Sequence, residues 1–178
     1  MTEQFDRAYY ERFYRNPRTA VTNRAEMNAR GRLIAAMADH LGLPVRSILD
    51  AGCGVGLLRA PLQRALRRAE YTGLEVSEYL CRRYGWIHSG IQDYTRRVQY
   101  DIVICYDVLQ YLNAAETRRA LVNLARVSRG LLAFLPSALL FEPIALDRAT
   151  AHEVFPNDLF DRFRSHFSVE HRSGVDVE

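Results

Sequence analysis

The sequence contains no lysine, so all 24 basic residues of this 178-residue chain are arginines. Several stand in pairs spread along the chain, such as Arg67-Arg68 and Arg118-Arg119, and the formal net charge is only +3. A nucleic-acid-binding surface requires basic residues gathered on one face. We therefore interpret the arginines as solvated surface residues and expect no nucleic-acid partner.

Cysteine is also scarce, and Cys53, Cys81 and Cys105 stand far apart in the sequence. They form neither the even-numbered set of a secreted disulfide framework nor the C-x-x-C pairs of a zinc site. We therefore expect free thiols, a cytoplasmic location and no metal site.

An uninterrupted apolar run long enough to cross a membrane is absent as well. The longest apolar stretch, residues 130–146, is broken by Pro136, Glu142 and Pro143, whereas a spanning helix needs about 20 apolar residues. The first ten residues, MTEQFDRAYY, carry acids, an arginine and aromatic rings where a signal peptide has a basic start and an apolar run. We expect neither a membrane segment nor a signal peptide.

The remaining composition is that of an ordinary globular protein, with 48% hydrophobic and 25% charged residues. The length corresponds to about one domain of common size. We therefore predict a single domain over 1–178, with an N-terminal helical cap over 1–42 and a core over 43–178.

The cap is predicted to contain two helices. The first covers 4–16, where Phe5, Tyr9 and Phe13 recur at helical spacing, and the second covers 23–41. Both are interpreted as helices that pack on the core, and the first is also a candidate to cover a pocket.

Beyond the cap, short β-type runs alternate with helical segments, which is typical of a parallel sheet with crossover helices. The predicted strands are 47–51, 71–75, 86–90, 100–106 and 130–135, and the predicted helices are 58–69, 77–84 and 114–129. A helix over 157–166, a strand over 167–171 and a short antiparallel closing edge at the final VDVE are predicted to follow. The fold class is thus α/β, a Rossmann-like doubly wound, mostly parallel sheet with helices on both faces.

The strongest functional signal is the segment DAGCGVG at 50–56, which follows an apolar strand and precedes a helix. Glycines let the backbone turn tightly and approach a ligand closely, and free N–H groups at a helix start favour an electronegative group. A dinucleotide fingerprint would need a glycine at 57, where Leu57 stands. Asp50, two residues before the first glycine, favours a ligand with a positively charged end. The segment therefore predicts a nucleotide-type site.

Together with further motifs, this segment resembles the class I S-adenosylmethionine-dependent methyltransferases. The further motifs are an acid that ends the second strand in YTGLE, an acid after the third strand in GIQDY, and YDVLQYL at the end of the fourth strand. The resemblance covers about 47–136, and its motifs stand in the order that the family shows.

The resemblance implies S-adenosylmethionine as cofactor and S-adenosylhomocysteine as product. The implied cofactor-binding residues are Asp50, Gly52, Cys53, Gly54, Gly56, Glu75, Val76, Gln92, Asp93 and Tyr106. In the family, the glycine segment lines the methionine part, and the acid at Glu75 holds both ribose hydroxyls. Val76 corresponds to the residue that contacts the adenine, and Asp93 to the acid that accepts a hydrogen bond from the adenine amino group. Tyr106 either faces the sulfonium or packs in the core.

Methyl transfer depends chiefly on bringing the acceptor into line with the methyl carbon, so no catalytic residue is assigned. His152 and Glu153 are candidate bases near the acceptor, and solvated or structural roles remain open for them. Tyr10, Tyr14 and Arg18 are candidates to close over the cofactor.

We expect methyl transfer to an unidentified acceptor, a small molecule rather than a macromolecule. The alternatives are a cofactor-binding regulatory subunit without catalysis, a nicotinamide-dependent oxidoreductase and a nucleic-acid methyltransferase. Fold alone decides none of them, and the oligomeric state is left open.

Overall fold

The computed structural model of the chain describes residues 5–16, 18–20 and 22–135. Its helices are α1 (Arg7–Tyr10), α2 (Arg24–His40), α3 (Arg59–Ala65), α4 (Glu78–Tyr84) and α5 (Ala114–Val127). Its strands are β1 (Ser47–Ala51), β2 (Glu70–Glu75), β3 (Ile87–His88), β4 (Tyr100–Tyr106) and β5 (Ser128–Leu135). A π-helical turn (Glu11–Arg15) extends α1, and two short 3₁₀ turns lie at Ile91–Asp93 and Leu109–Tyr111.

The five strands form one parallel sheet in the order β3-β2-β1-β4-β5. The chain builds outward from β1 to β3 and then crosses back to place β4 on the other side of β1. In such sheets the carboxyl ends of the strands next to this crossing form the usual ligand crevice. The parallel α/β arrangement predicted from the alternation of strands and helices is confirmed.

Helices cover both faces of the sheet because successive strand residues point in opposite directions. On one face, Ile48 of β1 belongs to a cluster with Ile34 of α2 and Leu62 of α3. On the other face, Leu49 belongs to a cluster with Leu124 of α5. A central strand that is buried on both faces has a nearly continuous apolar sequence. This pattern is the reason why the sequence predicts β1 and β4.

Local signals in the sequence set the ends of the two long helices. Asn23 caps α2 by accepting a hydrogen bond from the Glu26 N–H at 3.0 Å. Asn113 and Glu116 form a capping box at the start of α5, in which each side chain accepts the backbone N–H of the other.

Several predicted boundaries differ from the structure. β3 covers Ile87–His88 rather than 86–90. Trp86 precedes the strand, and its indole N–H donates to the Gly54 carbonyl at 3.0 Å. The helix predicted over 58–69 ends at Ala65, where the chain turns toward β2.

At the N-terminus, the single helix predicted over 4–16 is one α-helical turn followed by the π-helical turn. The Asn16 N–H donates to the Glu11 carbonyl at 3.0 Å, the i to i−5 pattern of a π-helix. The helix predicted over 157–166, the strand over 167–171 and the closing edge at VDVE lie outside the described residues.

Within the described part of the chain, no helix combines the length and the apolar character needed to cross a membrane.

Candidate functional site

A cavity of about 260 Å³ lies at the carboxyl ends of β1, β2 and β4. Its walls come from five parts of the chain: the loop after β1, the end of β2, residues 89–92, the segment after β4, and aromatic residues of the N-terminal segment. The predicted site residues Asp50, Gly52, Cys53, Gly54, Glu75, Val76, Gln92 and Tyr106 all line it. The crevice expected from the topology is therefore the place where the sequence motifs meet.

The loop after β1 needs its glycines for both conformation and space. Gly52 has φ of +81°, and a Cβ there would lie 2.2 Å from a methyl carbon of Val108. The Gly52 and Cys53 N–H groups donate to the Leu74 carbonyl at 2.8 and 3.1 Å, which ties the loop to β2. The loop therefore brings bare backbone to the cavity wall, as its sequence predicts.

Glu75 is buried at the end of β2, with 4% of its surface exposed. Its Oε2 accepts the Gly54 N–H at 2.8 Å, and its Oε1 accepts the Val76 and Ser77 N–H groups at 2.8 and 2.9 Å. The Tyr10 hydroxyl also donates to Oε1, at 3.4 Å. These bonds fix the carboxylate between the glycine loop, its own loop and the N-terminal segment.

Asp50 is the second buried acid of the cavity, with 3% of its surface exposed. The Tyr71 hydroxyl donates to its Oδ2 at 2.5 Å. Burial raises the pKa of Asp50 to about 7, the hydrogen bond from Tyr71 acts in the opposite direction, and the charge of Glu75 raises it further. Near neutral pH, a cation placed beside Asp50 would therefore favour its ionised form.

Cys53 lies in the glycine loop and is buried. Burial, followed by the charges of Asp50 and Glu75, raises the pKa of its thiol well above the usual range. The side chain is thus a neutral thiol, and its place in the cavity wall is one of packing rather than nucleophilic chemistry.

Two positions implied by the resemblance lie away from the cavity wall. Asp93 is exposed and does not line the cavity, because its 3₁₀ turn directs Ile91 into the core and presents Gln92 to the cavity. Gly56 does not line it either, since it packs against the Trp86 ring.

The last residue of β4, Tyr106, and the residue that follows the strand, Asp107, line the cavity. The Arg30 guanidinium lies 4.3 Å from the Tyr106 ring centroid, and burial, followed by the adjacent Asp107 carboxylate, raises the pKa of Tyr106 to about 12. Asp107 adopts φ of +52°, alone among the non-glycine residues of the described ranges. Its Oδ1 is buried and has no hydrogen-bond partner among the described residues.

The N-terminal segment forms an aromatic wall of the cavity. Tyr10 and Tyr14 line it as predicted, whereas Arg18 does not, and Phe5 and Tyr9 join them. The Phe5 carbonyl accepts the Ser77 hydroxyl at 2.6 Å, and the Tyr9 and Tyr111 hydroxyl oxygens are 3.2 Å apart. These bonds attach the segment to loops that follow β2 and β4.

His152 and Glu153, the candidate bases, lie outside the described residues. In the part of the chain that the structure covers, no group of three or more His, Cys, Asp or Glu side chains is arranged to hold a metal ion.

Comparisons with known proteins agree on the type of domain. Residues 49–129 match the family model described as a methyltransferase domain. The chain is 34% identical over 101 residues to a ubiquinone biosynthesis O-methyltransferase of Azoarcus sp. (strain BH72), which covers 49% of this chain and 42% of that protein. It is 28% identical over 116 residues to a malonyl-[acyl-carrier protein] O-methyltransferase of Anoxybacillus flavithermus, covering 60% of this chain and 45% of the relative. The chain thus spans less than half the length of these curated relatives.

Among solved structures, the fold is similar to that of magnesium protoporphyrin IX methyltransferase from Synechocystis PCC 6803 with bound S-adenosylmethionine. The TM-score is 0.62 at 24% identity, covering 86% of this chain and 83% of that chain. At this level of identity the similarity establishes the fold.

Asp50→Asn is expected to stabilise the unliganded protein at pH 8. Because the pKa of the folded carboxyl lies above its unfolded value of 3.8, stability that is complete below about pH 4 is lost as the pH rises through about 7. Removing the charge therefore raises the free energy of unfolding at pH 8 by up to about 4 kcal/mol, and by much less at pH 4. Urea unfolding at both pH values measures the difference.

The matched control is Asp39→Asn, an exposed acid of α2, for which a change within about 0.5 kcal/mol is expected. Equal gains at pH 4 and pH 8 for Asp50→Asn would show that burial of the Asp50 charge does not limit stability.

Proposed function

We propose that the chain, whose residues 49–129 match the methyltransferase domain model, transfers a methyl group from S-adenosylmethionine to a small-molecule acceptor. The observation that carries the proposal is the meeting of the glycine loop, Asp50 and Glu75 on one cavity. When bound, the cofactor supplies a methyl group on a sulfonium, which is already a good leaving group.

The chemistry of the cavity fits this cofactor. Asp50 lies near the carboxyl end of β1 and would face the cationic amino-acid end, beside the bare backbone of Gly52. Glu75 has two carboxylate oxygens for two neighbouring ribose hydroxyls. Val76 and Gln92, which line the cavity beyond Glu75, would contact the adenine.

At the reacting end, Tyr106 and the aromatic wall would face the sulfonium, since aromatic rings attract cations. Asp107 is proposed to accept the proton of the acceptor. Its buried, unpartnered Oδ1 and its left-handed backbone are features that persist where a structure requires them for function. With the cofactor bound, the acceptor oxygen would take the methyl group and leave S-adenosylhomocysteine, and the hydroxyl proton would pass to the Asp107 carboxylate and then to solvent.

An oxygen atom as the methyl acceptor is what the names of the curated relatives favour. Both curated relatives are named O-methyltransferases. The described cavity walls also lack a cationic side chain, so they offer no strong partner for an acidic acceptor.

The activity is tested with methyl-labelled S-adenosylmethionine and a small-molecule extract. Transfer of label to a small molecule is expected, together with formation of S-adenosylhomocysteine. Binding of S-adenosylhomocysteine without transfer to any extract would favour a regulatory subunit, and tighter binding of NAD would favour an oxidoreductase.

Glu75→Gln is expected to weaken S-adenosylhomocysteine binding by about 10- to 100-fold, corresponding to about 1–3 kcal/mol. The amide loses the charge that strengthens hydrogen bonds from the ribose, and its NH₂ group opposes the Gly54 N–H. Calorimetric titration measures the change. The control Glu78→Gln alters an exposed acid that pairs with Arg82, and this variant should bind S-adenosylhomocysteine with wild-type affinity. Unchanged affinity in Glu75→Gln would refute the assignment of Glu75 to the ribose.

Asp107→Asn is expected to lower turnover by at least about 100-fold, the smaller end of general-base effects, with S-adenosylhomocysteine affinity within about 3-fold of wild type. The assay uses the extract component that becomes labelled. Wild-type turnover in this variant would exclude Asp107 as the proton acceptor.

A further inference from the structure

Two aromatic residues that the motifs do not include, Tyr71 and Trp86, contact residues that line the proposed cofactor site. Tyr71 lies on β2 and is 9% exposed, and its hydroxyl reaches across to Asp50 on the neighbouring strand. The Tyr71 and Trp86 ring centroids are 5.9 Å apart. The two side chains therefore form one connected unit between the sheet and the glycine loop.

Trp86 contacts the glycine loop at two points. Its indole N–H donates to the Gly54 carbonyl at 3.0 Å, and its ring would lie 2.8 Å from a Cβ at Gly56. The ring also fills the space above Gly73 on β2, where a Cβ would lie 2.6 Å from it. The loop is thus supported directly by the indole, and only glycine at these positions leaves room for it.

The indole ring of Trp86 is also in contact with two further side chains. The Tyr84 ring stacks on it, with centroids 5.7 Å apart and planes 27° from parallel. The Arg59 guanidinium lies 5.6 Å from the ring centroid. Trp86 therefore has a defined position before any ligand arrives, which limits the conformational entropy that binding must remove.

Tyr71 addresses the difficulty of keeping Asp50 ionised inside the protein. Burial opposes the charge, and the neighbouring groups Glu75, Cys53 and Cys105 are acidic or neutral. The Tyr71 hydroxyl is the donor that the structure gives to the carboxylate, and a hydrogen bond to the charged form favours that form. It also fixes the direction in which the second oxygen of Asp50 points.

We propose that Tyr71 and Trp86 are positioning residues of the cofactor site, Tyr71 by holding the Asp50 carboxylate and Trp86 by holding the loop at Gly54 and Gly56. This inference rests on the proposed function, since it assigns both residues to the same site. Each acts through a group that lines the cavity, Tyr71 through Asp50 and Trp86 through Gly54.

The test for Tyr71 is the pH profile of S-adenosylhomocysteine affinity, measured by calorimetry from pH 5.5 to 8.5. In the wild type, affinity is expected to rise with pH as Asp50 ionises. In Tyr71→Phe, the donor that favours ionisation is gone, so the midpoint of this rise moves to higher pH and affinity at pH 7 falls about 3- to 10-fold. A purely structural role would lower affinity without moving the midpoint.

The matched control is Tyr100→Phe. Tyr100 is also buried, and its hydroxyl pairs with that of Tyr94 at 3.0 Å. It is the first residue of β4, however, whereas the cavity lies at the carboxyl ends of the strands. Its profile should coincide with that of the wild type. In an Asp50→Asn background, Tyr71→Phe should produce no further shift with pH, because the titrating partner is absent.

Trp86 gives an independent test, because it is the single tryptophan of the chain. Wild-type emission should change on titration with S-adenosylhomocysteine at the calorimetric affinity. Trp86→Phe, which keeps a ring but loses the indole N–H, should bind about 3- to 10-fold more weakly at every pH, with the midpoint unchanged.

Binding by the wild type and binding by the variants test different proposals. Failure of the wild type to bind S-adenosylhomocysteine would overturn the proposed function. Normal binding by the wild type with identical pH profiles for Tyr71→Phe and Tyr100→Phe would overturn the role of Tyr71 alone. Wild-type affinity in Trp86→Phe, together with wild-type emission that does not change on binding, would overturn the role of Trp86.

Discussion

A buried carboxylate that ties two loops together is the constraint on which the site depends. Glu75 belongs to β2, yet it accepts hydrogen bonds both from Gly54 in the loop after β1 and from Val76 and Ser77 in its own loop. Charge-assisted bonds of this kind are stronger than those between neutral groups. They fix the separation of the two loops and thereby the width of the cavity between them.

The same arrangement places two acids close together where water is largely excluded. Asp50 and Glu75 raise the free energy of the unliganded protein when both are ionised, and the Tyr71 hydroxyl offsets part of that cost for Asp50. A ligand with a cationic end and two hydroxyl donors would relieve the remainder. Asp107, with its left-handed backbone and an Oδ1 that has no hydrogen-bond partner among the described residues, adds a third departure from optimal stability at the same cavity, which is the pattern expected of a functional site.

The sequence predicts those helices, strands and loops whose structure is determined by residues close together in the chain. The glycine loop, the buried strands and the capped helix α5 are specified by short motifs, and Glu75 was found because it ends a recognisable strand. Trp86 and Tyr71 were missed as site residues because their roles depend on contacts between strands and loops that are distant in sequence. Asp93 shows a limit of local motifs: in the 3₁₀ turn at Ile91–Asp93 it is exposed, whereas the adjacent predicted residue Gln92 lines the cavity.

The cavity beside Glu75 is proposed to hold the nucleoside and amino-acid parts of S-adenosylmethionine. A crystal structure of the chain with S-adenosylhomocysteine tests it most directly. We expect both ribose hydroxyls within hydrogen-bond distance of the Glu75 carboxylate and the ammonium group beside Gly52 on the side of Asp50. A ligand bound elsewhere, or a ribose turned away from Glu75, would contradict the account.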